Sequence, residues 1–184
     1  RRPAPLYLRR RGQDHYVTTV ARGRAVFVGY NFTVGSTETE ARQVLRLAKR
    51  KKVRRVVVDV RLNPGGDNHT YVDLLRALRS KWVNRRGRLV VLISRSTFSA
   101  AENFITELER KTRAVFIGET SGGSPNLYGD AAGVELPTAG LNVEVAGRYW
   151  QKSFAADTRV AIEPKVTVPL GSTRVGTPLQ TTSN

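Results

Sequence analysis

Hydrophobic and polar positions along this chain switch repeatedly between a strand period and a helix period. Residues 25–32 (AVFVGYNF) are β-branched and aromatic and read as a strand, with a shorter one expected at 16–20. Ala41, Val44, Leu45 and Ala48 then recur at helical spacing, with Thr37 and Glu40 as a capping box in front and the cations of residues 49–52 behind. Residues 53–60 (VRRVVVDV) return to a strand, in which three consecutive valines predict burial on both faces. The cycle repeats. Tyr71, Leu74, Leu75 and Leu78 share one helical face, residues 89–93 form a buried-type strand, and Ala101, Phe104, Ile105 and Leu108 mark a helix over about 100–111. Residues 115–117 make a further strand, and beyond Tyr128 only short strands (141–145, 166–168) and loops are expected. Strand–helix alternation through residue 118 predicts an α/β core with a mostly parallel sheet. Sites in such sheets form beyond the C-terminal ends of the strands, which singles out the loops at 61–68, 94–99 and 119–126.

Composition narrows the function classes. With 184 residues, 40% hydrophobic and 25% charged, the chain fits one domain with a real core and is not a disordered polymer. No apolar run approaches the roughly 18 residues of a membrane helix. The absence of Cys excludes a disulfide scaffold and thiolate chemistry, and two distant histidines make no typical zinc site. The chain has no Met and opens at Arg1-Arg2, so it is expected to be a processed product or a piece of something longer, its signal region out of view. Residues 1–24 are accordingly expected to end an upstream region, with a core over 25–170 and a tail over 171–184.

The formal net charge is +16, and residues 1–88 hold 22 basic and 6 acidic side chains while residues 89–184 hold 9 of each. A basic half suits a polyanion. Its clusters are not interleaved with aromatics, however, and no nucleic-acid motif is present. An acidic partner surface, or a merely solvated face, is the preferred reading, and nucleic acid is disfavoured.

Two loops carry candidate chemistry. Gly65-Gly66 lies between a strand and a helix, where backbone N–H groups can cradle a phosphate or an oxyanion, or simply make a turn. It lacks the third glycine of a dinucleotide fingerprint. Ser99 heads a helix, where the dipole and the Ala100 amide would stabilise developing negative charge on a nucleophile's substrate. Ser99 with Glu102 is equally a capping box, and local sequence does not separate the two readings. A Gly-Gly turn and a Ser-led helix after neighbouring strands can converge on one carbonyl, and that pairing favours chemistry.

Together these segments resemble a family. Residues 57–66 (VVDVRLNPGG), 91–102 (VLISRSTFSAAE) and 113–123 (RAVFIGETSGG), followed by Leu136-Pro137, Gly140-Leu141 and Glu163-Pro164, are similar to ordered motifs of the tail-specific, or C-terminal processing, serine peptidases. The resemblance runs from about residue 25 to 168. It implies a crotonase/ClpP-like core of stacked ββα units with a C-terminal β/loop extension, and hydrolysis of peptide bonds in unstructured or C-terminal segments. It places Ser99 at the nucleophile, the amides of Ala100 and of Gly65 or Gly66 at the oxyanion hole, and no cofactor. It also implies a secreted or cell-envelope setting.

One departure stands out. Classical members carry a Lys base about 25 residues after the serine, where this chain reads Gly122-Gly123-Ser124-Pro125. The tricorn-like and retinoid-binding branches also lack it, the former taking a His from an upstream segment. Here His69, after the Gly-Gly turn, is the tentative base, with a residue outside the chain as the other source. His15 reads as a surface residue. Glu102, Glu119, Asp157 and Glu163 are candidate orienting acids, Asp59 and Arg61 could pair to hold the glycine turn, and Tyr128 and Tyr149-Trp150 could line a groove. The expected partner is a peptide or protein substrate, with an oligomer possible. The alternatives are a silent binding module of the same fold, holding an apolar ligand or a peptide C-terminus, and an acyl-CoA enzyme using the same oxyanion geometry.

Overall fold

The computed structural model describes residues 4–168; the expected tail at 171–184 lies outside the described residues. Among the described residues eight strands and four α-helices follow in the order α1 (Leu6–Arg9), β1 (His15–Val20), β2 (Ala25–Tyr30), α2 (Glu38–Ala48), β3 (Arg55–Asp59), α3 (Val72–Leu78), β4 (Leu89–Ile93), α4 (Ala100–Lys111), β5 (Val115–Gly118), β6 (Asn126–Leu136), β7 (Leu141–Gln151) and β8 (Val166–Thr167). Six strands make one sheet in the order β1-β2-β3-β4-β5-β8, antiparallel between β1 and β2 and parallel elsewhere. This is the expected α/β class. Each parallel step from β2 to β5 is bridged by one helix, and right-handed crossovers in sequential order put all three helices on one face. There α2 packs on α3 and α3 on α4.

The core lies between those helices and the sheet. Val26, Val28 and Tyr30 on β2, Val56 and Val58 on β3, and Leu89, Val91 and Ile93 on β4 point into it against Leu74, Phe104, Ile105 and Leu108. Burial of β3 and β4 is mostly one-sided. On the opposite face Val57, Val90 and Leu92 are half-buried while Asp59 is buried, so the expected burial on both faces of β3 is met only in part. The unbroken valine run reflects β-propensity as much as burial.

The region beyond Tyr128 also departs from expectation. Instead of short strands and loops, β6 and β7 are each 11 residues long and pair from Asn126↔Gln151 to Leu136↔Leu141 as a separate antiparallel hairpin. Most of its side chains are exposed, so no alternation imposed by a core marked it in the sequence. After the hairpin the chain returns to the core. Ile162 is buried, and β8 pairs with β5.

Candidate active site

The loops after β3, β4 and β5 meet at one end of the sheet. Asn63, fully buried, organises the first of them. Its amide donates to the Tyr30 carbonyl at 3.0 Å, and its side-chain oxygen accepts the Gly65 amide at 3.0 Å and the Thr33 hydroxyl at 3.3 Å. Thr33 also takes the Gly65 carbonyl through its amide at 2.9 Å. The turn therefore demands glycine. Gly65 and Gly66 have φ of +117° and +141°, and a Cβ on Gly66 would stand 2.2 Å from the Thr33 carbonyl oxygen. Asp59 and Arg61 do pair beneath it, at 2.6 and 2.9 Å, with the Arg61 guanidinium 4.1 Å over the Tyr7 ring.

The second loop is tied to the first along its length. Ser94 Oγ donates to the Arg61 carbonyl at 2.6 Å, Thr97 Oγ1 to the Val60 carbonyl at 2.9 Å, and the Phe98 amide to the Asn63 carbonyl at 3.1 Å. These bonds deliver Ser99 against the glycine turn. A Cβ on Gly65 would lie 2.7 Å from Ser99 Cβ and 3.1 Å from the Ala100 nitrogen. Two loops far apart in sequence thus touch through a missing side chain.

Ser99 itself is held in an unusual state. Its φ is +53° and its ψ −124°, backbone that a non-glycine residue adopts at a cost of roughly 1–3 kcal/mol. It occupies the N-cap of α4, yet its hydroxyl makes no capping bond to the helix. The capping-box reading does not hold here: the Ser99 hydroxyl satisfies none of the α4 amides. Two amides nearby also lack a protein acceptor among the described residues, those of Ala100 and Gly66, whereas the Gly65 amide is occupied by Asn63.

Glu102 explains where the other half of the capping box went. The carboxyl is fully buried and accepts the Ser121 hydroxyl at 2.9 Å, while Ser121 Oγ in turn accepts the Ile162 amide at 2.7 Å. Burial pushes this acid up to about 8, so at neutral pH it carries its proton. No full negative charge then opposes the positive end of α4. The third loop closes over the second, with the Gly122 amide donating to the Thr97 carbonyl at 2.8 Å. Ser124, near where a Lys base would be expected, donates to the Asn126 carbonyl at 2.9 Å.

The remaining candidates are placed as follows. His69 is exposed in the turn before α3, its ring edge-on to Trp150 with 6.3 Å between centroids. Asn68 beside it is buried and accepts the Asn103 amide at 2.8 Å, linking this turn to α4. Asp157 shares Arg159 with Glu109, each bond near 2.8 Å, and those bonds hold the Asp157 carboxyl below the usual carboxylate range. Glu163 is exposed ahead of β8. Tyr128 and Tyr149 pack on each other at 4.9 Å on the hairpin. His15 is tied down, against Glu40 at 3.1 Å and the Val34 carbonyl at 3.2 Å. Among the described residues no cluster of His, Cys, Asp and Glu could hold a metal. Sequence reasoning did not single out Asn63, Thr97 or Ser121. A buried-type strand followed by Asn-Pro-Gly-Gly is a signal for an Asx turn that could have found Asn63.

This geometry can be set beside known proteins. Residues 79–168 match the model of peptidase family S41. This is the fold of the S41 peptidases. The photosystem II D1 C-terminal processing protease superposes with a TM-score of 0.60 at 20% identity, covering 85% of this chain and 48% of its own. A candidate peptidase from Parabacteroides merdae gives 0.56 at 18% identity, over 84% of this chain and 57% of its own. A candidate S41 protease from Bacteroides fragilis gives 0.52 at 15% identity, over 84% and 50%. The chain spans about half the length of these structures. No curated protein matches its sequence. The S41 match includes Ser99 and Ala100, while the Gly65-Gly66 turn lies ahead of it.

Proposed function

We propose that this chain is the core of a serine peptidase acting on unstructured or C-terminal segments of proteins, with Ser99 as nucleophile. The carrying observation is Ser99 itself, strained at φ +53°, free of any capping bond, and in contact with the glycine turn. Strain of this kind persists only where the surroundings impose it, and the hydroxyl is not spent on capping the helix. The amides of Ala100 and Gly66 are the two donors available to a tetrahedral oxyanion. Gly65 contributes its lack of a side chain, because its amide is already engaged by Asn63.

The mechanism follows from these groups. A scissile carbonyl entering above Gly65 would place its oxygen toward the two free amides and its carbon beside Ser99 Oγ. The hydroxyl attacks, its proton passes to a base, and the carbonyl oxygen gains charge opposite the α4 N-terminus. Collapse expels the amine, which takes up the proton held by the base, and leaves an acyl-serine; water then attacks, giving a proton to the base that returns to the Ser99 oxygen as the acid is released. His69 is the tentative base within the chain. Its exposed ring lies beside Trp150, so either it swings to Ser99 when substrate binds or a group outside the described residues serves.

Replacement of Ser99 by Ala tests the reading. Hydrolysis of an unstructured fluorogenic peptide should fall to background, with the thermal midpoint unchanged, because alanine keeps the Cβ and the same backbone conformation. A variant cutting as fast as the parent would refute the nucleophile. Loss of nothing because the parent itself never cuts would favour the silent binding module.

A further inference from the structure

An open groove of about 350 Å³ adjoins the site, between α3, α4 and the base of the hairpin. It begins at Asn68, two residues after Gly66, and is lined further along by Arg79 at the C-cap of α3 and Lys111 of α4. Its apolar surface comes from Val72, Leu75 and the Trp150 ring, a floor suited to the side chains of an extended peptide. Its charge is mostly positive. Arg76 from α3, Arg79 at its C-cap, Lys111 from the end of α4 and Lys152 from beyond β7 line it, against Glu107 alone among the lining carboxylates.

Glu107 is not available to a ligand. Lys111 bonds it, Lys152 approaches it at 3.3 Å and the Tyr71 hydroxyl at 3.5 Å. Arg76 leans on Asp73 at 2.7 Å, in a pair that is largely exposed and readily exchanged. Arg79 has no side-chain partner among the described residues and stands exposed. Two guanidiniums one helical turn apart on the same face therefore face solvent with one weakly held partner between them.

We propose that this groove binds an acidic stretch of the substrate peptide, its carboxylate side chains meeting Arg76 and Arg79. The proposal rests on the peptidase reading for its occupant. Helix α4 leads from the Ser99 end to Lys111, a span of about 18 Å at 1.5 Å per residue. An extended peptide covers that in about five residues, so the acidic positions lie within about five of the scissile bond. Selection by a surface of this kind weakens with salt, because exposed charges are screened over about 8–10 Å.

Binding to the Ser99→Ala protein separates this inference from catalysis. The probes are fluorescein-labelled unstructured peptides of one sequence, carrying Glu, Gln or Lys at the outer positions. Fluorescence polarisation at low salt should show the Glu peptide binding about tenfold more tightly than Gln, and Lys weakest. In a variant that also carries Arg76→Glu and Arg79→Glu, the order should invert, and thermal melting would confirm that these exposed changes leave the fold intact. Equal affinity for Glu and Gln peptides, or an unchanged order in the reversed variant, would overturn the proposal even if the parent protein hydrolyses peptides. Acid selection in a parent that never cuts would uphold the groove and separate it from the peptidase reading.

Discussion

Two helices of this protein start with the same four-residue pattern and do opposite things with it. Thr37…Glu40 heads α2 and Ser99…Glu102 heads α4, and each spells a capping box. Neither box closes. At α2 the hydroxyl is drawn into the scaffold: Thr37, fully buried, donates to the Thr70 carbonyl at 2.8 Å and accepts the Leu74 amide at 3.3 Å, while Glu40 pairs with His15. At α4 the acid is drawn away to Ser121 and the hydroxyl is left without a cap bond on strained backbone. Buried polar groups are normally satisfied, and Thr37 obeys. Ser99 makes no capping bond with its hydroxyl, and that difference is what the proposed nucleophile role rests on.

The comparison breaks most visibly through the glycine that lets the two loops touch. Gly65→Ala would drive a methyl group to 2.7 Å from Ser99 Cβ at a φ of +117°. We expect at least a hundredfold loss of peptide hydrolysis, on the scale of losing one oxyanion donor, with destabilisation of about 1–3 kcal/mol measured by urea unfolding. Retained activity would mean that the Ser99–Gly65 contact is incidental.

Next in size is the buried acid. Glu102 is pushed up to about 8 by burial, well above its unfolded value, so the folded state holds a proton that the unfolded state releases. Stability should therefore fall as pH rises from about 5 to 8, by up to about 1.4 kcal/mol per pH unit from this group. Glu102→Gln keeps the acceptor for Ser121 and removes the proton, so it should flatten that slope in unfolding measured across pH. A slope that survives the substitution would assign it elsewhere.

The scaffold member of the pair has a smaller, purely structural effect. Thr37→Val removes both hydroxyl bonds and should cost about 1–2 kcal/mol of unfolding free energy, while peptide hydrolysis per folded molecule stays near the parent value. A large loss of activity at unchanged stability would erase the contrast with Ser99. The smallest change expected is a modest rise in KM from Trp150→Leu, which strips one aromatic wall from the groove and leaves Ser99 untouched.

Much of this was legible in the chain because it is dictated locally. The β–α alternation, the one-face helices and the Gly-Gly turn follow from periodicity and from glycine's freedom. The roles of the two capping boxes were not legible, because each is decided by partners more than fifteen residues away: Thr70 and Leu74 in one case, Ser121 in the other. Asn63 escaped for the same reason, since its value lies in reaching Tyr30 and Thr33 on a neighbouring strand and loop. The hairpin escaped because no core imposes a burial pattern on it. The basic half is legible in sequence only as a solvated face or a surface for an acidic partner, and the positions of Arg76 and Arg79 beside the groove come from the fold alone.

The most direct measurement is to react a peptide-hydrolysing preparation with a fluorophosphonate and map the adduct by mass spectrometry of its proteolytic fragments. The account predicts a single adduct on Ser99, formed in step with loss of hydrolysis and absent from the Ser99→Ala protein. Inactivation with the adduct on a different residue, or full inactivation with Ser99 unmodified, would contradict it.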